Sequence, residues 1–430
     1  MGKTINRLTY SFFFLLFIVL TPIFLLYAGG YRYNFDTAQV EKNGAFYIKS
    51  YPRDADIYID GEKNKNRTPN QITNIKPGRH LIEIKKEKYG SWQKELEVSS
   101  GETTFAEDIV LFYQDTDKKT LSSGSTNFLL NKNEEKYALI DDDNKFKITD
   151  VEQAKMFEIY DFASSSYSFV DWSPNDQKIL LKDTTEALII FDIGQKEFYP
   201  LELANIEKII WDNQDSNTLW YLQKEKLFQL NIAQIFEPTT HDLDLDKNIK
   251  DFDLKDDYIA ILYSVDNANY VEQLDKNLNS KQILENLNLG KLKIMVTNDR
   301  QFIFTLGSQL YIKNIFQNLI DIPVTSVKVH NQRLLLTNGH EIILYNYQDD
   351  WQELIDRSSQ IVSDLLWHPN GSYFLSEINE QTNITEIDGR DKRNSVPILE
   401  NPHKKLYLFN KKGNRLFILT PEENYYLTIQ

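Results

Sequence analysis

The sequence contains no cysteine among its 430 residues. This absence excludes disulfide bonds, thiolate metal sites, a cysteine nucleophile and a lipoprotein anchor, which needs a cysteine to carry the lipid. It does not contradict export, since a large domain folds without disulfides. Glycine-rich phosphate loops, the Gly-x-Ser-x-Gly elbow, the His-Glu-x-x-His helix and the protein-kinase motifs are missing as well. The sequence therefore shows none of the common catalytic signatures.

Histidine is also scarce. The six histidines are scattered, without an i,i+4 pair that would hold a metal ion on one helix. His330 and His340 are close enough in sequence to flank one hairpin, although a solvated loop histidine is the commoner situation. We therefore expect no cofactor and no metal ion, and the sequence assigns no catalytic or cofactor-binding residue.

Basic residues are outnumbered: 48 lysines and arginines stand against 63 aspartates and glutamates, a formal net charge of −15. The excess lies beyond residue 112, where 33 basic side chains face 50 acidic ones. An acidic surface repels the phosphate backbone, which argues against nucleic acid as a partner. With so many acids, no two stand out as the carboxylate pair of a glycosidase.

One long apolar run is present, the uncharged nineteen-residue stretch Tyr10–Ala28. As a helix it would extend about 28 Å, close to the roughly 30 Å of a membrane hydrocarbon core. Lys3 and Arg7 precede it without an acidic neighbour. The positive-inside rule then places residues 1–9 in the cytoplasm as a short tail and the body of the chain outside it.

Tyr31 and Tyr33 follow the run, where aromatic rings suit the far membrane interface. A cleaved signal peptide is the main alternative. Leu26-Tyr27-Ala28 is a poor cleavage site because of its leucine, whereas Ala28-Gly29-Gly30 is compatible with cleavage. A buried core helix fits poorly with the terminal position and the flanking charges. We therefore predict a retained signal-anchor helix over residues 10–28.

Residues 29–43 are polar and predict a tether, after which the pattern changes to short strands. Asp60-Gly61 is a strong turn dipeptide, and Pro77-Gly78 marks a second turn before a strand. Several short strands without helical periodicity predict a small β-sandwich over residues 44–112. The predicted strands are Ala45–Lys49, Ala55–Ile59, His80–Lys85, Gln93–Val98 and Ile109–Phe112.

The same stretch resembles the PEGA domain. The landmarks are the segment from Ser50 to Gly61, then Thr68-Pro69, Pro77-Gly78, Lys88-Tyr89 and Trp92. Pro52-Arg53-Asp54-Ala55 takes the place of the Pro-Glu-Gly-Ala motif that names the family, so the middle pair departs from it. The resemblance implies a small extracytoplasmic β-domain beside other modules, without chemistry of its own. From the residues alone, Tyr89 and Trp92 are more often core aromatics than ligand platforms.

Residues 113–124 are polar and predict a linker, and from residue 125 the chain repeats itself. The unit is a turn, an apolar strand, a polar break and a second strand, with a period of about 40 residues, the length of one four-stranded propeller blade. Two clear copies open at Trp172-Ser173-Pro174 and Trp367-His368-Pro369. Weaker copies open at Leu130, Trp211, Asp253, Thr297, His330 and Phe409.

These eight copies predict a seven- or eight-bladed β-propeller over residues 125–430, because a ring is able to split one blade between the two chain ends. The two clear copies resemble the WD40-like or TolB-type propeller repeat, Trp-Ser-Pro-Asp-Gly followed by an apolar strand. In that motif proline and the following residues close a turn and tryptophan packs between blades. It is a fold signature and names no substrate. The overall fold class expected is therefore all-β, with an N-terminal transmembrane helix, a small sandwich and a propeller.

One acidic stretch invites a calcium interpretation. Asp242, Asp244 and Asp246 alternate, and Asp253 lies at the twelfth position, as in an EF-hand loop. Lys247 occupies the sixth position, where the loop needs glycine, and the twelfth should be glutamate. The alternation is equally typical of a strand with one solvent-exposed face. Asp141-Asp142-Asp143 is more simply a charged hairpin turn.

The sequence predicts a membrane-anchored, extracytoplasmic, non-enzymatic protein of a prokaryotic cell envelope. It would be a single-pass protein of the plasma membrane that presents a propeller for protein or glycan binding. One alternative is an exported polysaccharide hydrolase or lyase, with acids and aromatics gathered at one mouth of the propeller. Another is an envelope sensor, although the nine residues before the span leave no room for an output domain.

Overall fold

The computed structural model describes residues 2–34, 39–125, 127–162, 166–243, 245–297, 301–314, 320–400 and 406–430. This part of the chain forms two compact units. The first comprises residues 1–116, the segment 385–396 and residue 430, and the second comprises 117–384 and 397–429. Within the described residues one helix stands at the amino terminus and the regular structure that follows is β, which confirms the all-β prediction.

The single helix, α1 (Gly2–Ala28), contains the predicted span. Its segment Thr9–Ala28 is 20 residues long, has a mean hydropathy of 2.4 and is not buried within the chain. By length and composition this helix is able to cross a membrane, and a signal sequence has the same properties. Pro22 lies inside it, a position that a spanning helix tolerates.

The segment 29–43, predicted to be a polar tether, contains a β-hairpin. β1 (Tyr31–Asn34) pairs antiparallel with β2 (Gln39–Lys42), and residues 35–38 lie outside the described part. The Asn43 N–H donates to the Gly30 carbonyl at 2.9 Å, which brings the two ends of the hairpin together. Strands of four residues show too little alternation to be recognised from sequence.

The β-sandwich predicted for residues 44–112 is present in the first unit. Its strands are β3 (Gly44–Tyr51), β4 (Asp56–Ile59), β5 (Glu62–Arg67), β6 (Asn70–Ile75), β7 (Gly78–Lys85), β8 (Trp92–Val98) and β9 (Thr103–Val110). One sheet has the order β5-β4-β7-β8 and the other β6-β3-β9. Inward side chains of both sheets, among them Phe46, Ile57, Ile84 and Trp92, form one core. Asp60 and Gly61 make the predicted turn, both with positive φ.

The segment 385–396 belongs to the first unit because it covers the edge of β8. The Asn394 side-chain amide makes two hydrogen bonds with the Gln93 backbone. Its Oδ1 accepts the Gln93 N–H at 3.3 Å, and its Nδ2 donates to the Gln93 carbonyl at 3.1 Å. The Asp391 carboxylate accepts the Glu95 N–H at 2.9 Å. Since an uncovered edge strand is a template for aggregation, these contacts protect the sandwich.

A fully buried lysine lies beneath this cover. The Lys94 Nζ is 3.0 Å from Glu386 Oε2 and donates to the Asp388 carbonyl at 2.7 Å, with its side chain wholly inaccessible. The Trp92 indole N–H donates to Glu386 Oε1 at 3.1 Å. A buried ammonium group is tolerated only with compensation of this kind.

The second unit begins with β10 (Asp117–Ser123), and seven consecutive four-stranded antiparallel sheets follow it, blades 1 to 7. Blade 1 is β11 (Asn127–Leu130), β12 (Lys136–Ile140), β13 (Lys145–Asp150) and β14 (Lys155–Asp161); blade 2 is β15 (Tyr167–Trp172), β16 (Lys178–Asp183), β17 (Leu188–Asp192) and β18 (Glu197–Pro200); blade 3 is β19 (Lys208–Trp211), β20 (Thr218–Gln223), β21 (Lys226–Asn231) and β22 (Thr239–Asp242); blade 4 is β23 (Asn248–Lys255), β24 (Tyr258–Val265), β25 (Ala268–Asp275) and β26 (Ser280–Leu284). Blade 5 is β27 (Leu292–Thr297), β28 (Gln301–Leu306), β29 (Gln309–Asn314) and β30 (Ile320–Pro323); blade 6 is β31 (Ser326–His330), β32 (Arg333–Thr337), β33 (Glu341–Asn346) and β34 (Trp351–Arg357); blade 7 is β35 (Val362–Trp367), β36 (Tyr373–Ile378), β37 (Gln381–Glu386) and β38 (Ser395–Glu400).

Blade 8 combines both ends of this unit. Its strands β39 (Leu406–Phe409), β40 (Arg415–Leu419) and β41 (Glu423–Thr428) are joined by β10 in the order β10-β41-β40-β39. The described residues thus form eight blades, and parts of β37 and β38 in blade 7 come from the segment 385–396. Residues 113–124, predicted to be a linker, supply a strand to the propeller, which starts at Asp117. The prediction failed because β10 is a largely exposed outer strand and its polar sequence lacks alternation.

The repeat predicted from the sequence is the blade itself. Seven of the eight predicted turns lie between the first and second strands of a blade. The turn predicted after Thr297 lies outside the described residues. Trp172 is completely buried in a cluster shared by blades 1 and 2, together with Ala138 and Phe191. The expectation that this tryptophan packs between blades is therefore confirmed.

A candidate binding groove on the propeller

Several acidic residues join blades. The Asp171 carboxylate, on β15, accepts the Trp211 N–H of blade 3 at 2.7 Å and pairs with Lys132 of blade 1 at 2.9 Å. Its Oδ1 also accepts the N–H of Trp172, at a bulge in the strand. One carboxylate thus connects three blades.

The same arrangement recurs two blades later. The Asp251 carboxylate, on β23, pairs with Lys208 of blade 3 at 2.8 Å and accepts the Leu292 N–H of blade 5 at 2.7 Å. Asp253 accepts the Ile294 N–H at 2.7 Å, and burial raises the pKa of its carboxyl. These acids hold the ring together, and the sequence did not show this because the partners come from separate repeats.

The calcium interpretation gains no support. Asp242 pairs with Lys226 at 3.0 Å, and Asp253 points its carboxylate to the neighbouring blade. Asp244 lies outside the described residues. Within the described chain, no group of three or more His, Asp or Glu side chains is arranged to hold a metal ion. Asp141, by contrast, forms the predicted hairpin turn, since its Oδ1 accepts the Asp143 and Lys145 N–H groups.

His330 and His340, which the sequence suggested could flank one hairpin, lie beyond opposite ends of the single strand β32. His330 ends β31 and its ring lies 5.4 Å from that of Trp367, whereas His340 is in the next turn. Burial, aided by the Arg333 charge, lowers the pKa of His330. Its neighbour in blade 7, His368, is nearly fully buried. Its Nδ1 lies 2.8 Å from Asn370 Oδ1 and its Nε2 lies 3.0 Å from the Gly413 carbonyl oxygen.

We expect His368 to make the protein sensitive to acid. Burial lowers the pKa of this histidine below its ordinary value of 6.5, against the opposing hydrogen bonds. The unfolded chain therefore binds more protons than the folded one below pH 6.5, so this stability is present above that pH and is lost on acidification. The loss is at most about 1.4 kcal/mol for each pH unit. Urea unfolding at a series of pH values should show a weaker pH dependence in His368→Ser, the residue type of Ser173 in the equivalent turn. The exposed His241→Ser is the control, and an unchanged pH dependence in His368→Ser would contradict the assignment.

Several acidic side chains line one cavity of the propeller. It has a volume of about 420 Å³ and lies where blades 1, 7 and 8 meet. Its walls include Glu134, Glu135, Asp150, Glu152, Trp367 and Phe409. Glu135 pairs with Lys411 Nζ at 2.7 Å, and Glu152 accepts the Lys411 N–H at 3.1 Å. These contacts give both carboxylates a role in joining blades 1 and 8.

A second cavity is a groove between blades 2 and 3, of about 490 Å³, with both polar and apolar walls. We call it the Phe236 groove. One wall is β18 with the connection that follows it, and the other is the loop between β21 and β22. Its apolar lining includes Phe198, Pro200, Leu203, Ile235, Phe236 and Pro238. The floor is formed by buried Leu201 and Leu230, which belong to the core shared by these blades.

Phe236 dominates this surface. Its side chain is 82% exposed, the highest value among the large hydrophobic residues that the structure describes. The ring is held edge-on against Tyr199, with centroids 5.3 Å apart. The Tyr199 hydroxyl lies 2.7 Å from Glu197 Oε2, and this hydrogen bond, with burial, raises the pKa of Tyr199 to about 12. The tyrosine is therefore an uncharged, fixed support at neutral pH.

Sequence reasoning missed this groove. Its signal was the pair Ile235-Phe236, followed by Glu237-Pro238, in the short loop between two strands. An apolar pair is as common in a buried strand as in a surface loop. Only the fold shows that this loop leaves Phe236 exposed. An exposed aromatic residue beside a groove that contains apolar side chains is typical of a protein interaction site.

The comparisons with known proteins agree with both predicted domains. The PEGA domain family matches residues 43–108, so the resemblance noted from the landmarks is confirmed for that stretch. The match covers the sandwich and leaves the propeller unassigned to a family. No curated protein matches the chain.

Solved structures match the fold at low sequence identity. The crystal structure of the eukaryotic initiation factor aligns with a TM-score of 0.52 at 12% identity, over 73% of this chain and 99% of its own. The Dos1 propeller aligns with 0.49 at 12% identity, over 73% and 94%. BamB from Moraxella catarrhalis aligns with 0.47 at 10% identity, over 72% and 99%. At such low identity the likeness extends to the fold alone, and the eight four-stranded blades themselves identify that fold as a β-propeller.

Proposed function

We propose that the chain is a non-enzymatic, single-pass membrane protein of a prokaryotic cell envelope whose propeller binds a protein partner through the Phe236 groove. The PEGA domain and the propeller support a surface or extracytoplasmic binding role. The apolar helix α1 supports membrane attachment, with residues 1–9 in the cytoplasm. No cofactor or nucleic acid takes part in this function.

The observation that carries the protein-binding proposal is the exposure of Phe236. Burying a phenylalanine ring removes a large apolar area from water, and such anchors dominate interface energetics. The groove beside it has the volume of a typical binding cleft. Because Tyr199 already fixes the Phe236 ring, little side-chain freedom is lost when a partner binds.

We expect Phe236→Ser to weaken binding to native envelope vesicles about 30-fold, the effect of losing a hot-spot residue. The measurement uses full-length protein in nanodiscs and titrates the vesicles. Since the side chain is 82% exposed, the substitution should leave the melting temperature nearly unchanged. Phe157→Ser is the matched control, a 41% exposed phenylalanine on the outer strand of blade 1.

Treating the vesicles before binding separates protein from glycan partners. Digestion with protease should abolish binding, and digestion with polysaccharide hydrolases should leave it intact. Binding that survives protease but not glycan digestion would replace the protein partner with a glycan. Equal binding by Phe236→Ser and the wild type would remove the groove from the proposal.

A second candidate, an exported polysaccharide hydrolase or lyase, has one observation in its favour. The cavity at blades 1, 7 and 8 brings four carboxylates and two aromatic rings together. Release of reducing sugar from envelope polysaccharide, lost in Glu134→Gln and Asp150→Asn, would favour this candidate over a binding protein.

A further inference from the structure

The β1–β2 hairpin is amphipathic, with a face that nothing in the described chain fully covers. Tyr33 pairs with Val40 and Tyr31 with Lys42, so these four side chains lie on one face. On that face Tyr31 is 40% exposed, Tyr33 52% and Val40 55%. The other face carries the pair Arg32 and Glu41.

This hairpin directly follows the span. Tyr31 is three residues beyond the end of α1, which places it within about 10 Å of that end. The Arg32 guanidinium stacks on the Tyr27 ring at 3.7 Å and donates to the Tyr27 carbonyl at 2.7 Å. It thereby satisfies a carbonyl of the last helical turn and fixes the start of β1 against α1.

The far end of the hairpin is fixed as well. The Asn43 N–H donates to the Gly30 carbonyl at 2.9 Å. The Lys42 carbonyl accepts the Gly101 N–H at 3.1 Å and the Ser100 hydroxyl at 3.0 Å, both from the turn between β8 and β9. The hairpin is therefore held between the helix end and the sandwich, and its exposed face has little freedom to turn away.

We propose that the face bearing Tyr31, Tyr33 and Val40 lies in the membrane interface, in contact with the lipid headgroups of the leaflet where α1 ends. This inference rests on the proposed membrane anchoring. Tyrosines prefer this depth because their rings are apolar and their hydroxyl groups remain wet. The side-chain carbons of Lys42, on the same face, lie against Gly101 in the turn between β8 and β9, and its flexible ammonium group would pair with lipid phosphates. The sandwich is then seated at the bilayer surface by a structured element rather than carried on a free tether.

The absence of cysteine makes a direct test available, since one introduced cysteine carries a unique spin label. Full-length Val40→Cys, Tyr33→Cys and Glu41→Cys are labelled in vesicles of phosphatidylcholine and phosphatidylglycerol. Accessibility to oxygen and to a water-soluble nickel chelate gives the depth of each label. Labels at 33 and 40 should lie about 5 Å or more below the aqueous boundary, and the label at 41 should be in water. Val40→Cys leaves both tyrosines in place, so its result does not depend on their removal.

A reference label at Val19→Cys, in the middle of the span, separates two kinds of failure. If that label lies deep in the bilayer while labels at 33 and 40 are as nickel-accessible as the label at 41, the hairpin inference is wrong and the anchor stands. If the Val19 label is itself in water, or is removed with a cleaved amino terminus, the proposed anchoring fails. Deep labels at 19, 33 and 40 with an aqueous label at 41 support both.

Discussion

Replacing Glu386 with leucine should lower the free energy of unfolding by roughly 3 kcal/mol, the lower end of the usual cost of leaving a buried charge without its partner, because the Asp388 carboxylate remains near Lys94. The Lys94 side chain is fully inaccessible and that of Glu386 is 5% exposed. In Glu386→Leu the ammonium group keeps the Asp388 carboxylate, 3.6 Å away and 27% exposed, as its remaining anionic partner. The Trp92 indole N–H loses its acceptor as well. Urea unfolding of the full-length protein measures the loss.

Local hydrogen exchange distinguishes loss of the Lys94–Glu386 pair from a general loss of stability. Hydrogen exchange at the Gln93 and Glu95 amides should accelerate, because their acceptors Asn394 and Asp391 lie in the same segment as Glu386. The double variant Lys94→Met/Glu386→Leu should recover part of the stability, since it removes the unpaired ammonium group, while the Trp92 indole N–H still lacks its acceptor.

The matched control is Lys85→Met, on the neighbouring strand β7. Lys85 pairs with Glu83 at 3.1 Å but its side chain is 45% exposed. Such a pair contributes at most about 1 kcal/mol. A loss in Glu386→Leu no greater than in Lys85→Met would show that the buried pair does not hold the segment in place.

Gly124→Ala should destabilise the propeller by about 3 kcal/mol, the upper range for overpacking. A Cβ atom at residue 124 would lie 2.1 Å from the Pro421 carbonyl oxygen and 2.5 Å from the Glu422 nitrogen. Both are backbone atoms of the turn before β41, so they cannot move aside as a side chain would. The methyl group forces β10 away from β41, the pairing that closes the ring. The melting temperature and the urea midpoint measure this loss.

A second glycine provides the control. In Gly194→Ala the nearest atom to the new Cβ, Asp192 Oδ1, is 3.5 Å away, an ordinary contact. That variant should stay within about 0.5 kcal/mol of the wild type. Equal stability of the two variants would mean that the end of β10 is not packed against the Pro421 turn.

The sequence alone was sufficient to predict the elements that repeat along the chain and those with a strong local sequence pattern. The apolar helix is visible because a soluble domain seldom contains an uncharged apolar run of that length. The blades are visible because each opens with a similar turn and apolar strand, and the predicted turns that lie in the described residues fall between the first and second strands. Some of the PEGA landmarks, such as Asp60 and Gly61, are turn residues, whose conformational demands are local.

What the sequence missed depends on partners that are distant along the chain. β10 is polar and becomes a strand because it pairs with β41, about 300 residues later. The cover of β8 likewise comes from a segment about 300 residues away. The acidic residues were too numerous to interpret from the sequence. In the structure Asp171 and Asp251 join blades, because they pair with Lys132 and Lys208 of neighbouring blades.

The candidate site also depends on partners that are distant along the chain. The composition and the repeat determined an all-β architecture, because periodicity and turn chemistry are local properties of the sequence. Only the tertiary structure decided that Phe236 remains exposed while Phe191 and Phe417 are buried, since burial depends on which strands pack against each ring. It also decided that Tyr33 and Val40 share one face, because the register of a hairpin, and not the spacing of its residues, brings them together.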